Sequence, residues 1–178
     1  MVTVAEQPNL ADLAFEPYLD HGAISNRLIK QIGIYGIFDA EQTLQYVGYS
    51  RDIYLSLKQH LVLQPQHCHW LKVHTITRPS RSLLLEIQNA WIEENGFLPL
   101  GNGESGQQWT DAIDAKMSMT NADFAAYAEA DERGKEKVYK NVARRLEAQI
   151  KERLEARGVT MDIRFNPKLK NKGLLHAQ

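Results

Sequence analysis

The chain has 178 residues, 43% of them hydrophobic, and its 21 Lys+Arg against 22 Asp+Glu give a formal net charge of -1. This length supports one domain with a real hydrophobic core and excludes two large domains. The sequence has no apolar run long enough to cross a bilayer and no recognisable secretory signal, and its one cysteine, Cys68, excludes an internal disulfide and a cysteine-based zinc site. We therefore expect a soluble, cytoplasmic protein, or a plastid protein if the source is a plant.

The first part of the chain is predicted to be an N-terminal extension over residues 1–30, which contains two prolines and short helical turns. Two apolar runs then flank a polar connection of hairpin length at residues 39–43, which predicts an antiparallel β-hairpin over residues 33–50. In that hairpin Tyr35 and Tyr46 lie near each other.

The segment after the hairpin predicts a helix, a strand and a second helix. Ser50 or Asp52 can cap the first helix, which runs to about Val62, because a short polar side chain accepts the free amide hydrogens of a first turn. Residues 70–76 predict a third strand, and the second helix begins at about residue 81 and ends at Gly96.

The last third of the chain is predicted to be a basic arm. Residues 104–119 form a loop or linker, and the arm spans residues 120–178, with one long amphipathic helix followed by a strand whose apolar and polar residues alternate over residues 159–165. Residues 1–132 carry 8 Lys+Arg and 17 Asp+Glu, a net charge of -9, whereas residues 133–178 carry 13 and 5, a net charge of +8.

This charge asymmetry predicts that the arm binds nucleic acid or a protein partner. The candidate contacts of the arm are Arg144, Arg145, Lys168 and Lys170. The alternative is that the basic arm folds back onto the acidic body. The sequence does not indicate the oligomeric state.

Two short motifs in the hairpin point to a family. Gly33-Ile34-Tyr35 lies on the first strand and Tyr46-Val47-Gly48 on the second, ahead of a helix, a strand and a further helix. This order resembles the GIY-YIG nuclease superfamily, including GIY-YIG-like proteins of cyanobacteria and plastids. The resemblance implies an α/β (α+β) domain over residues 31–103, with a three-stranded antiparallel sheet flanked by helices.

The family's metal-dependent endonuclease activity implies roles for several positions. Tyr35, Tyr46 and His60 match catalytic positions, and Arg51 is a nearby cation that could reach the tyrosines. The resemblance further implies binding positions at Gly33, Gly48, Ser56, Gln88 and Asn102. Ser56 and Gln88 replace the family's arginine and metal-binding glutamate, and a neutral amide holds Mg²⁺ more weakly than a carboxylate does.

These substitutions lead to three hypotheses about function. The favoured one is a diverged domain with weakened or absent nuclease activity that binds nucleic acid or protein, so the chain is expected to be non-catalytic and to need no cofactor. The second is an active endonuclease, which would need Mg²⁺, and the third is an assembly or scaffold factor with no nucleic-acid role. His67 and His69 share a strand face, but no third metal ligand is identifiable, so no metal site is predicted.

Overall fold

The structure is a computed structural model that describes residues 7–178, so the first six residues of the predicted N-terminal extension lie outside the described residues. The elements follow in the order β1 (Glu16–Pro17), β2 (Ile32–Phe38), β3 (Leu44–Ser50), α1 (Ile53–Leu63), β4 (Trp70–Ile76), α2 (Arg81–Asn95), α3 (Gln107–Thr110), β5 (Ile113–Asp114), α4 (Asn121–Glu129), α5 (Glu132–Ala156), α6 (Pro167–Lys170) and β6 (Leu174–Leu175). Short 3-10 turns lie at Asn26–Leu28, Leu100–Asn102 and Ala115–Ser118.

An antiparallel sheet with the strand order β1-β4-β2-β3 forms the centre of the fold. The predicted hairpin is present, and Tyr35 of β2 lies opposite Gly48 of β3 on one side and Val73 of β4 on the other. The α+β class is therefore confirmed. The sheet has a fourth strand beyond the three predicted, because the two residues of β1 pair with Leu71 and Trp70.

Local capping explains where the two helices of the hairpin region begin. The Asp52 carboxylate accepts a hydrogen bond from the Leu55 amide at the start of α1, and the Ser80 hydroxyl accepts one from the Leu83 amide at the start of α2. Helix α2 ends at Gly96, whose φ of 86° lies in the left-handed region that glycine adopts without strain.

The sheet has an apolar cluster on each face, because successive side chains of a strand point to opposite sides. Tyr35 and Ile37 pack towards α1 in the larger cluster, whereas Ile34 and Val47 pack towards Trp91 of α2 in the smaller one. The sheet is therefore covered on both faces, and the tyrosine side is the α1 side.

Helix α5 packs into the larger cluster rather than extending away from it. Val142, Ala143, Ile150 and Leu154 are buried there. The single long helix predicted for the arm is divided into α4 and α5, because Ala130 adopts an extended conformation and Asp131 caps a new helix. The basic part of the chain thus lies on the body, and the proposed domain boundaries remain predictions.

The predicted strand over residues 159–165 is not formed. Ile163 and Phe165 are buried, so the alternation correctly indicated which side chains face the core, but the segment pairs only through a single bridge between Phe165 and Ala177. The terminal strand of this region is instead β6, which pairs with β5. Within residues 7–178 no helix has the length and apolar character needed to cross a membrane.

Candidate functional site

A cleft of about 330 Å³ opens on the α1 side of the hairpin. Its walls include Tyr35, Tyr46, Tyr49, Ser56, Gln59, His60 and the chain segment 176–178. We call it the tyrosine cleft. The hairpin pattern predicted that the two tyrosines lie close together, and their ring centroids are 6.3 Å apart.

The polar centre of the tyrosine cleft is a short chain of hydrogen bonds. The Nδ1 atom of His60 lies 2.6 Å from the carbonyl oxygen of Trp109, and its Nε2 atom lies 2.8 Å from the Tyr35 hydroxyl. A carbonyl oxygen can only accept, so Nδ1 carries the proton of the neutral ring, and Nε2 accepts from Tyr35. This arrangement fixes both the tautomer and the orientation of the imidazole.

Burial keeps these groups uncharged. Burial lowers the pKa of His60 to about 4. The hydrogen bond to the Trp109 carbonyl raises this pKa, but its effect is smaller than that of burial. Burial also raises the pKa of Tyr46 to about 12 and the pKa of Tyr35 well above the ordinary phenol value. At neutral pH the cleft therefore presents neutral phenols and a neutral imidazole.

Aromatic packing holds the tyrosines in place. The Tyr46 ring is stacked on Trp109, with centroids 5.5 Å apart and an interplanar angle of 8°, and it also lies 4.7 Å from the His60 ring, centroid to centroid. A Cβ atom on Gly48 would lie 2.4 Å from the Tyr46 ring and 2.8 Å from the Tyr35 hydroxyl oxygen. Glycine at this position is thus required by the packing of the two tyrosines.

Two further residues of α1 complete the wall. The Ser56 hydroxyl donates to the Ser50 hydroxyl at 2.7 Å. The Gln59 side chain donates to the Asp111 carbonyl and accepts from the Ala177 amide, at 2.9 and 2.8 Å. Gln59 consequently ties the last residues of the chain to the rim of the tyrosine cleft.

Gln88 and Asn102 meet at the backbone of Val47 on β3. The Asn102 carboxamide donates to the Val47 carbonyl and accepts from its amide, both at 2.8 Å, and the Gln88 side chain also donates to that carbonyl at 2.8 Å. Both amides are therefore occupied by the protein itself, and neither lines the tyrosine cleft.

The remaining predicted residues lie elsewhere. Arg51 lines a different cleft, beside Tyr49 and Arg81, rather than reaching Tyr35. Gly33 lies where β2 approaches β4, so that a Cβ atom there would be 2.2 Å from the carbonyl oxygen of His74. The predicted roles of these residues in catalysis or binding remain predictions.

The four candidate cations of the arm divide into two pairs. Arg145 forms an ion pair with Asp123 at 2.5 Å, and Lys170 forms one with Glu147 at 2.7 Å. Arg144 and Lys168 are exposed, and within residues 7–178 their side chains make no hydrogen bond or ion pair.

Trp109 belongs to the site but was not among the residues predicted from the sequence. It lies in a segment rich in Gly, Ser and Gln that was predicted to be a loop, yet it is buried and contacts His60, Tyr46 and His67. The available signal was a tryptophan in a polar segment, because such a large apolar side chain is seldom left in solvent.

The tyrosine cleft can bind and orient a polar ligand through neutral donors and acceptors. In the part of the chain that the structure describes, no group of three or more His, Cys, Asp and Glu residues is placed to hold a metal ion. Cys68 is fully buried, its thiol faces the His60 carbonyl at 3.7 Å, and burial raises its pKa to about 12.

Comparison with known proteins gives a partial match. The chain is 32% identical over 90 residues to the chloroplastic bifunctional monothiol glutaredoxin-S16 of Arabidopsis thaliana, which covers 48% of this chain and 31% of that protein. The chain thus matches less than a third of the length of this relative. No protein-family model matches the chain.

These comparisons conflict with the assignment made from the hairpin motifs. No family model supports the GIY-YIG superfamily, and the matched relative has a glutaredoxin name. The assignment is therefore corrected, together with the nuclease-like binding function drawn from it. Gly48 and the two tyrosines pack against one another, which gives these motif residues a structural role.

Proposed function

We propose that the chain is an accessory domain of a thiol-redox or iron–sulfur system, which associates with a thiol-bearing protein unit and supplies no redox thiol itself. The burial of Cys68, in a chain that matches part of a monothiol glutaredoxin, is the observation that carries this proposal. The relative is named as a chloroplastic protein, which also supports a plastid location for this chain.

The chemistry of Cys68 excludes it as an exchange thiol. Thiol–disulfide exchange needs a thiolate that solvent and partner can reach. Cys68 has no exposed surface, and burial raises its pKa to about 12, so the thiol stays protonated at neutral pH. The cysteine behaves as a small apolar core residue.

The partial match supports a separate thiol unit. The relative is named bifunctional, and the match accounts for 31% of its length, which leaves room for a further unit that carries the monothiol function. We infer that the matched part of the relative is the part without the thiol, so that this chain would act on such a unit as a partner or a neighbour.

The exposed side of α5 offers a surface for this association. Arg133, Lys137, Lys140 and Arg144 follow one another at intervals of three or four residues, so they lie on one face of the helix. We call this face the basic stripe. Within residues 7–178 none of these four side chains makes an ion pair or hydrogen bond, so the stripe fits a protein partner with an acidic face.

The thiol part of the proposal is tested by labelling Cys68 with a chromogenic disulfide reagent. The native chain should react far more slowly than the chain unfolded in guanidinium, and the native chain with glutathione should not reduce a small disulfide substrate. A native chain that reacts as fast as a free thiol, or that reduces the substrate, would overturn the proposal.

The association is tested by calorimetry against a purified single-domain monothiol glutaredoxin. The double variant K137E with R144E should weaken binding by about tenfold, or 1.4 kcal/mol. The matched control is K30E with R78E, which changes the net charge equally at two exposed cations outside α5. Absence of binding by the parent chain contradicts the proposal, and so does an equal loss in the control. Binding of duplex DNA or RNA that depends on the stripe, without glutaredoxin binding, would assign the stripe to nucleic acid instead.

A further inference from the structure

A second cleft lies at the other side of Tyr49, between the end of β3 and the beginning of α2. Its volume is about 320 Å³, and its polar lining consists of Ser50, Ser80, Tyr49, Arg51 and Arg81. We call it the arginine cleft. We propose that the arginine cleft binds a small phosphorylated ligand with a flat apolar body, such as a mononucleotide.

The two arginines of the cleft have no polar partner in the described part of the protein. Arg51 and Arg81 come from different elements and meet at one cleft, and within residues 7–178 neither guanidinium makes a hydrogen bond or an ion pair. Two such groups side by side repel each other unless an anion lies between them. The planar fork of a guanidinium matches the oxygens of phosphate in a bidentate manner.

No carboxylate in the lining competes with an anionic ligand for these arginines. None of the described residues that line the arginine cleft is acidic. Asp52, which follows Arg51 in the chain, does not line the cleft, and its Oδ1 atom accepts from the Leu55 amide at the start of α1. The positive charge of the cleft is therefore not neutralised by its own wall.

The remaining wall of the arginine cleft is apolar and aromatic. Ile32, Leu84 and Pro79 form an apolar side, and the Tyr49 ring adds an aromatic one. The Tyr49 hydroxyl makes no hydrogen bond in the described part of the chain, so it is available as a donor. A ligand with an anionic head and an apolar ring would satisfy both sides of the cleft at once.

Charge and size select the class of ligand. A phosphate monoester carries close to two negative charges at neutral pH and thereby matches two guanidinium groups better than a single carboxylate does. A volume of about 320 Å³ lies at the lower end of small-molecule sites. The proposal therefore names a small phosphorylated molecule. It does not depend on the association proposed above, because the basic stripe on α5 shares no residue with this cleft.

The experiment compares adenosine monophosphate, adenosine, phenyl phosphate and inorganic phosphate by amide chemical-shift titration of the full chain. We expect the two phosphorylated ring compounds to bind and to shift the amides of Ile32 and Leu84, with adenosine and phosphate at least about tenfold weaker. Equal binding of adenosine and its monophosphate would overturn the role of the arginines. Inorganic phosphate that binds as tightly as the ring compounds would overturn the role of the apolar wall.

Variants locate the binding. R51A with R81A should abolish the titration shifts, whereas R78A, which removes an exposed arginine that does not line the cleft, should leave them unchanged. Thermal melts show whether each variant is folded, and all three positions are exposed, so the melts should agree with the parent. Unchanged ligand binding in the double variant, or no binding of any phosphorylated probe by the parent at millimolar concentration, would refute the proposal.

Discussion

The Tyr35 hydroxyl donates a hydrogen bond to the Nε2 atom of His60 over 2.8 Å, in a part of the protein where neither side chain has appreciable contact with solvent. The Nδ1 proton is donated to the Trp109 carbonyl, so both ring nitrogens are hydrogen-bonded and neither is available to a third polar partner. Protonation of Nε2 would reverse the direction of the bond with Tyr35 and place a positive charge in a buried site, so this pair contributes to the pH dependence of stability.

Stability should fall as the pH decreases from about 6.5 to about 4. The folded-state pKa of His60 is lowered to about 4, so in this window the unfolded chain takes up a proton that the folded chain does not. The difference between the pKa of His60 in the unfolded chain, about 6.5, and in the folded chain, about 4, corresponds to a loss of about 3 kcal/mol in the free energy of unfolding. Urea unfolding at several pH values measures the loss. His60→Gln should reduce the slope in this window, to which His69 and His74 also contribute because burial lowers the pKa of each. An identical slope in that variant would show that His60 is not responsible.

Gly48→Ala should destabilise the fold by about 1–3 kcal/mol, the usual cost of overpacking a core. The added methyl group would lie 2.4 Å from the Tyr46 ring, and both tyrosines are held by neighbours. Gly103→Ala is the matched control, since its methyl group would be 3.3 Å from a movable Leu98 side chain. Denaturant unfolding of the two variants should separate them, and equal values would mean that the tyrosines move aside at little cost.

Trp109→Ala should cost about 3–5 kcal/mol, because it removes a large buried side chain. Trp109→Phe should cost less, since an aromatic ring can still stack on Tyr46. Calorimetric melting compares them. If the alanine variant were as stable as the phenylalanine variant, stacking on Tyr46 would contribute nothing to the site.

The sequence allowed the hairpin, the two flanking helices and the proximity of the tyrosines to be predicted, because each depends on local patterns: the length of a turn, the spacing of apolar residues and the identity of a cap. The prediction of a strand over residues 159–165 was wrong because strand formation does not depend on local patterns alone. Alternation records burial, and Ile163 and Phe165 are indeed buried, but strand formation also requires a partner, which local sequence does not specify.

The site was less predictable than the fold. Tyr35 and His60 are 25 positions apart, and their contact could be inferred only after a family had been assumed from two short motifs. The distant contact of His60 with the Trp109 carbonyl had no sequence signal, because a backbone group is the same in every residue. Arg51 was expected at the tyrosines, yet the direction of a side chain at a strand end depends on packing that the sequence alone does not give.

Asn102→Ala should destabilise the protein by about 1–3 kcal/mol, because the Val47 amide would lose its partner. Gln88→Ala should cost less, since the Val47 carbonyl keeps its bond from Asn102. Chemical unfolding compares the two variants with the parent. A larger loss in the glutamine variant would contradict this order.

The contact between Asn102 and Val47 also has a consequence outside the single molecule. Strand β3 is at the edge of the sheet, and Val47 is its middle residue, so its amide and carbonyl lie where the strand of another protein could be added. Exposed edges of this kind promote fibril formation and domain exchange. The Asn102 carboxamide bonds to both the amide and the carbonyl of Val47, as a further strand would. We therefore expect Asn102 to oppose self-association through this edge of the sheet.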